Sequence, residues 1–120
     1  MNSRQVRVVF EGQARIEFEM LECIVSAQRQ EGIAASSEQQ LLKSIKQKVG
    51  IIRSMPDYGD KVLRDQIPKG MEADNLFVVK LTHDWRMLYT LQMDEILVVA
   101  FVLNIVNHPT YDKMFGYRKK

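Results

Sequence analysis

Two segments decide the fold of this chain: NLFVVKL (residues 75–81) and WRMLYTL (residues 85–91), which flank the turn-forming triplet THD (residues 82–84). Alternating side chains on both sides of a short polar break are typical of a β-hairpin. A three-residue turn pairs Leu81 with Trp85 and Lys80 with Arg86. One face of the hairpin is then apolar and must be covered by helices. Its members are Phe77, Val79, Leu81, Trp85, Met87, Tyr89 and Leu91.

The opposite face of the hairpin places Lys80 and Arg86 next to each other, beside the apolar Val78 and Leu88 and the small Thr90. Like charges directly opposite each other destabilise a sheet unless an anion lies between them. The pair therefore indicates a phosphate site. Solvated charges at a strand end are the alternative interpretation.

The residues before the hairpin predict one strand and two helices. Val6–Phe10 has the composition of a strand. From Gln13 to Gln30 apolar residues recur at helical spacing. The second helix begins at Ser36 or Ser37, whose hydroxyl can cap it, and ends before Pro56. The buried stripe expected for the first helix consists of Ala14, Phe18, Leu21 and Val25, widened by Met20, Ile24 and Ala27.

The second predicted helix carries a basic face formed by Lys43, Lys46 and Arg53, opposite an apolar face. A run of charges on a helix is usually a solvated surface. Binding of a phosphate or of a partner protein is the alternative for this face.

Two segments flank the hairpin in the chain. Residues 56–74 show no periodicity, and an irregular connection of this length suggests either a working loop or a solvated connector. After the hairpin, Ile96–Val106 is almost continuously apolar, as expected for a central strand covered on both faces. Polar residues, including Asn104 and His108, follow where this strand leaves the core.

Composition restricts the class of protein. The chain has 120 residues, 46% of them hydrophobic, and a net charge of +2, which suits one globular domain over residues 1–120. The lone Cys23 and two histidines supply neither an internal disulfide nor a zinc ligand set, so we expect a cytoplasmic protein without a metal. The longest apolar run has eight residues, against about 20 for a membrane-spanning helix, and no apolar signal core follows the N terminus. We therefore expect no membrane association.

Five motifs in the chain are similar to those of a known toxin family. They are PDYG (residues 56–59), IPK (67–69), NL (75–76), WRMLYT (85–90) and HPTYDKMFGY (108–117). Together they resemble the RelE/ParE superfamily of toxins from type II toxin–antitoxin systems, in the branch that ends in a His-x-x-Tyr-Asp-x-x-Phe-Gly-Tyr pattern. The resemblance implies an α+β fold in β-α-α-β-β-β order, with two N-terminal helices packed on one face of a small, mainly antiparallel sheet.

The resemblance also implies a function and a set of partners. RelE-type members cleave messenger RNA on the translating ribosome without a metal or other cofactor, by attack of the ribose 2′-hydroxyl on the adjacent phosphate. ParE-type members instead inhibit DNA gyrase and cut nothing, and the fold does not decide between the two. A cognate small antitoxin protein holds either type inactive.

Metal-independent cleavage of RNA needs a base, an acid and cations for the phosphorane charge. The resemblance points to Arg86, Lys80 and Tyr111 for these roles. His108, at the polar end of the central strand, is added because imidazole suits proton transfer, and the four should converge in one concave site. A guanidinium such as that of Arg86 can hold a phosphate in bidentate fashion, and free imidazole titrates near neutral pH. A structural role remains the alternative for His108 and Tyr111. The predicted RNA contacts are Lys61, Arg64 and Lys69 in the irregular loop and Arg118 and Lys119 in the tail.

Overall fold

A five-stranded mixed sheet forms the centre of the molecule, and the computed structural model describes residues 4–116 of the chain. The strands are β1 (Gln5–Phe10), β2 (Asp60–Lys61), β3 (Phe77–Lys80), β4 (Arg86–Met93) and β5 (Leu97–Val106). Their order across the sheet is β1-β5-β4-β3-β2. Only β1 and β5 run parallel, and the other pairs are antiparallel. The predicted mainly antiparallel α+β fold is confirmed.

Three α-helices accompany the sheet within the described residues: α1 (Gly12–Gln30), α2 (Ser37–Ser54) and α3 (His108–Phe115). The Ser36 side chain caps α2 by accepting a hydrogen bond from the backbone N–H of Gln39 at 3.0 Å, as the sequence predicts. Two short 3₁₀ turns lie at Arg64–Gln66 and Thr82–Asp84. None of the helices that the structure describes has an apolar stretch long enough to cross a bilayer.

The hairpin of β3 and β4 has the predicted register. Lys80 pairs with Arg86, and the backbone N–H of Leu81 donates to the carbonyl of Trp85. The turn between the strands contacts α2, because His83 Nε2 lies 2.7 Å from Gln40 Oε1. His83 and Asp84 both adopt positive φ angles, of 58° and 62°, which accounts for the polar turn residues here.

The apolar face of the hairpin packs against α1 and α2 as predicted. The main core joins buried residues of both helices with residues of β3, β4 and β5. A second, smaller core lies on the other face of the sheet, where Leu76, Val78, Leu88 and Val106 are covered by the irregular loop and by α3. The sheet is therefore covered on both faces around β3 and β4.

Several details differ from the sequence-based expectations. The element order contains a short additional strand, β2, inside the irregular segment, and a C-terminal helix, α3. Met20, Ile24 and Ala27 do not join the buried stripe of α1, since all three are exposed, Met20 to 56% and Ile24 to 42%. The helix simply offers more apolar residues than one packed face can cover. Trp85 is only partly buried, because it lies at the turn end of β4 and not over the helices' centre.

The central strand β5 is also less covered than its composition predicts. Val98, Ala100 and Val102 are buried against the helices, whereas the alternate residues Val99 and Phe101 are only partly buried. The reason is that α3 and the irregular loop cover the β3 and β4 side of the second face and not the β1 side.

The irregular loop is attached to the sheet through Tyr89. Its buried hydroxyl accepts a hydrogen bond from the backbone N–H of Gly59 at 2.9 Å and donates to the carbonyl of Pro56 at 2.7 Å. Burial raises the pKa of Tyr89 above its usual value, so the hydroxyl stays neutral. A Cβ atom at position 59 would lie 3.1 Å from both Phe77 and Tyr89. The Pro-Asp-Tyr-Gly motif therefore brings the loop close to the sheet at the start of β2.

Candidate functional site

A cleft of about 230 Å³ lies on the second face of the sheet, at the end of the hairpin nearest its turn. Residues from β2, β3, β4, the irregular loop and α3 form its walls. They are Asp60, Lys61, Val62, Gln66, Val78, Lys80, Arg86, Tyr111 and Phe115. Lys61, Lys80, Arg86 and Tyr111 were all predicted as site residues, and they come from four different elements.

The sheet register brings the cations of this cleft together. Lys80 and Arg86 are direct cross-strand partners at the ends of β3 and β4. Side chains in such positions have Cβ atoms about 5 Å apart, so the two charges share one small region of the surface. Lys61 also lines the cleft, from β2, where its cross-strand partner is Phe77. Three cations and one carboxylate line the cleft, which makes it suitable for an anion.

The guanidinium of Arg86 is held in place from two sides. Its Nη1 donates to the carbonyl of Asp84 at 3.0 Å and to that of Trp85 at 3.4 Å. Its Cζ lies 5.3 Å from the centroid of the Tyr111 ring, within the range of a cation–π contact. Both hydrogen bonds use Nη1, and a guanidinium has five N–H donors in total. The side chain is thus oriented while other donors remain for a phosphate.

Tyr111 packs against the second core and also lines the cleft. Its ring packs on Phe115 with centroids 4.6 Å apart and belongs to the edge of the second core. The helix that carries it, α3, is capped by the Asn107 side chain, which accepts from the backbone N–H of Thr110 at 3.0 Å. Gly116 ends the helix with a φ of 73°. Tyr111 therefore packs at the edge of the second core and also lines the cleft.

His108 does not join the other predicted residues in the cleft. It lies in the first turn of α3, and its Nε2 is 3.2 Å from Asp112 Oδ2 one turn further on. The Nδ1 atom of His108 is buried and has no hydrogen-bond partner among the described residues. The sequence predicted that β5 extends to His108, whereas β5 ends at Val106 and α3 begins at His108.

The cations predicted in the loop and in the tail lie in different places. Arg64 and Lys61 both line a neighbouring cleft of about 440 Å³, bounded by the end of the irregular loop, so Lys61 connects the two. Lys69 is exposed and lines neither cleft. Arg118 and Lys119 lie outside the described residues 4–116.

Two polar residues of the cleft were not predicted from the sequence. Asp60 and Gln66 line the cleft next to Lys61 and Lys80. Nothing in a segment without periodicity distinguished them from other loop residues. The available signal was the adjacent Pro-Asp-Tyr-Gly motif, whose glycine must approach the sheet closely.

Comparisons of the chain with protein-family models, with curated proteins and with solved structures each returned no match. The resemblance to RelE/ParE toxins therefore rests on the quoted motifs alone. Within residues 4–116, no three His, Cys, Asp or Glu side chains are grouped as metal ligands would be.

Proposed function

We propose that the chain is a RelE-like toxin of a type II toxin–antitoxin system that cleaves messenger RNA on the ribosome in the cytoplasm. The observation that carries this proposal is the meeting of Lys61, Lys80, Arg86 and Tyr111 around one cleft. These residues come from distant parts of the chain, and each has a side chain suited to binding RNA. Two cations paired directly across adjacent strands do not stabilise a sheet, so this pair favours a functional role.

The cleft has the chemistry that cleavage by a 2′-hydroxyl requires. The ribose oxygen attacks the adjacent phosphorus, and negative charge grows on the nonbridging oxygens of the phosphorane. Lys80 and Arg86 stabilise that charge as ammonium and guanidinium groups that are already in place. The Tyr111 ring offers a surface on which a neighbouring base can stack. Lys61 and Arg64 extend the basic surface along the path of the RNA backbone.

The first prediction concerns cellular messages. Induced expression of the chain should arrest growth, and primer extension should show new 5′ ends inside translated regions within minutes. Plasmid supercoiling by purified DNA gyrase should not change when the protein is added. Intact messages together with inhibited supercoiling would replace the proposal with a ParE-like, gyrase-directed activity.

The antitoxin partner is proposed for a different surface, the groove between α1 and α2. A depression of about 530 Å³ there has an apolar floor that includes Leu42 and a rim of Arg29, Lys43 and Lys46. It continues into a second depression that shares Arg29, Leu42 and Lys46. An amphipathic segment with acidic side chains complements this combination and can fold as it binds.

The second prediction is that a gene next to that of the chain encodes a small acidic protein, and that this protein binds the groove. The two proteins should co-purify, and the double variant Lys43→Glu/Lys46→Glu should bind at least about 10-fold more weakly, because each reversal places like charges against the partner. Lys113→Glu, an exposed substitution on α3, serves as the control and should bind as the wild type does. Equal affinities for both variants would exclude the groove as the docking site, and the absence of any complex would exclude this partner.

A further inference from the structure

The cleft contains one carboxylate whose role the sequence did not suggest. Among residues 4–116, Asp60 is the only acidic residue that lines the cleft, and it does so from β2. Neither ion pair found within residues 4–116 involves Asp60. The side chain is exposed, so solvent and a bound ligand can reach it. A carboxylate in an otherwise cationic cleft weakens the attraction for phosphate. Its presence there is explained if the carboxylate takes part in the reaction.

The sheet register fixes where this carboxylate lies relative to the cations. Asp60 is paired with Val78, and Lys80 is two residues further along β3 on the same face. Diagonal neighbours of this kind are about 7–8 Å apart at their Cα atoms. Arg86 follows directly opposite Lys80, and the Tyr111 ring lies beyond it against the guanidinium. Across the cleft the order is thus carboxylate, ammonium, guanidinium and phenol.

The cleft holds the kinds of group that phosphoryl transfer needs. The attacking and leaving oxygens lie roughly in line on opposite sides of phosphorus, and the negative charge develops on the oxygens between them. A base, an acid and cations are therefore required around one phosphate. Asp60 on β2 and Tyr111 on α3 line the same cleft as Lys80 and Arg86.

We propose that Asp60 is the general base of the cleavage and that Tyr111 is the proton donor on the opposite side, an inference that rests on the proposed function. The Asp60 carboxylate takes the proton of the ribose 2′-hydroxyl, and the freed oxygen forms a bond to the adjacent phosphorus. The bond from phosphorus to the 5′-oxygen breaks, and that oxygen receives the proton of the Tyr111 hydroxyl. The products are a 2′,3′-cyclic phosphate and a 5′-hydroxyl, and proton exchange with water restores both side chains.

The other residues near the cleft are less suited to the role of base. His108 is engaged with Asp112 on α3 and does not line the cleft. Lys61, Lys80 and Arg86 act as cations toward the phosphate, and the amide of Gln66 does not accept protons at neutral pH. Among the described residues that line the cleft, Asp60 is the one that carries a carboxylate.

The third prediction separates the base from a merely electrostatic or structural role. Asp60→Asn keeps the size of the side chain and removes its ability to accept a proton. Single-turnover cleavage of a message on translating ribosomes should fall about 100-fold or more. Binding to the same ribosomes should stay equal or become tighter, because a negative charge near the phosphate has gone. Asp65→Asn, in the adjacent 3₁₀ turn and outside the cleft, should cleave at the wild-type rate.

Three results would overturn the assignment. Cleavage by Asp60→Asn at the wild-type rate would show that Asp60 is not the base, while the proposed function would stand. If Asp60→Asn lost both ribosome binding and cleavage, Asp60 would support the structure of the site and would not be the base. Asp60→Glu keeps a carboxylate, so it should recover part of the cleavage rate. A wild-type protein that cleaves no message would overturn the proposed function itself. The wild-type measurement therefore distinguishes this outcome from the results of the Asp60 variants. Tyr111→Phe, which keeps the ring beside Arg86, should lose cleavage and retain binding.

Discussion

Replacing Arg86 with alanine should lower cleavage of messenger RNA by about 100-fold or more, because the guanidinium balances charge that appears only in the transition state. The free energy of unfolding should change by no more than about 1 kcal/mol, since the lost contacts with Tyr111 and two carbonyls are offset by relief of repulsion from Lys80. Growth arrest and cleavage rate, measured beside the melting temperature of each variant, test this pair of expectations.

Two further variants make the Arg86 result specific. Arg86→Lys keeps the positive charge without the planar pair of donors, so its activity should be intermediate. Lys113→Ala removes an exposed cation from α3 outside the cleft and should leave cleavage unchanged. A folded Arg86→Ala protein that remains fully toxic would exclude the phosphate-binding role of this residue.

Replacing Tyr89 with alanine should produce the largest loss of stability, about 3–5 kcal/mol, out of the 5–15 kcal/mol typical of a whole domain. The ring is fully buried, it stacks on Phe77 with centroids 5.2 Å apart, and its hydroxyl joins the Pro56–Gly59 turn to the sheet. Urea denaturation followed by circular dichroism measures the loss. Function should disappear through unfolding, because Tyr89 faces the helices and not the cleft.

Tyr89→Phe is the matched control for this prediction. It keeps the ring and removes only the hydroxyl, which leaves the Gly59 N–H and the Pro56 carbonyl without their partner. The expected cost is about 1–2 kcal/mol. A folded Tyr89→Phe protein should bind ribosomes as the wild type does. Equal losses for alanine and phenylalanine would contradict the packing role of the ring, and no loss for phenylalanine would contradict the anchoring of the loop.

The hairpin and its two faces were predictable because a period of two residues assigns every side chain to a face once the turn is fixed. The Lys80 and Arg86 pairing followed from that register, and the structure confirms it. The helix α2 was equally predictable from the sequence, since Ser36 and Pro56 mark its limits. Local rules were sufficient wherever a short stretch of chain determines its own geometry.

The parts that the sequence did not predict depend on contacts between distant segments. β2 has only two residues, and its place beside β3 depends on Tyr89 and Gly59, which are 30 positions apart. Side-chain amides show the same dependence: Gln13 exchanges two hydrogen bonds with the backbone of Ile105, beyond the end of β1. The helix α3 did have local signals, an Asn cap, an early proline and a final glycine. The near-continuous apolar run before them favours a longer strand, which would place His108 at the strand end and not in α3.

The chemistry of the RNA ends tests the central claim most directly. Purified protein is added to ribosomes translating a defined message, and the 5′ and 3′ ends of the fragments are identified by their reactivity toward polynucleotide kinase and phosphatase. We predict a 5′-hydroxyl on one fragment and a 2′,3′-cyclic phosphate on the other, both absent with Arg86→Ala. Uncut messages, or fragments carrying a 5′-phosphate, would contradict cleavage by a 2′-hydroxyl in this cleft.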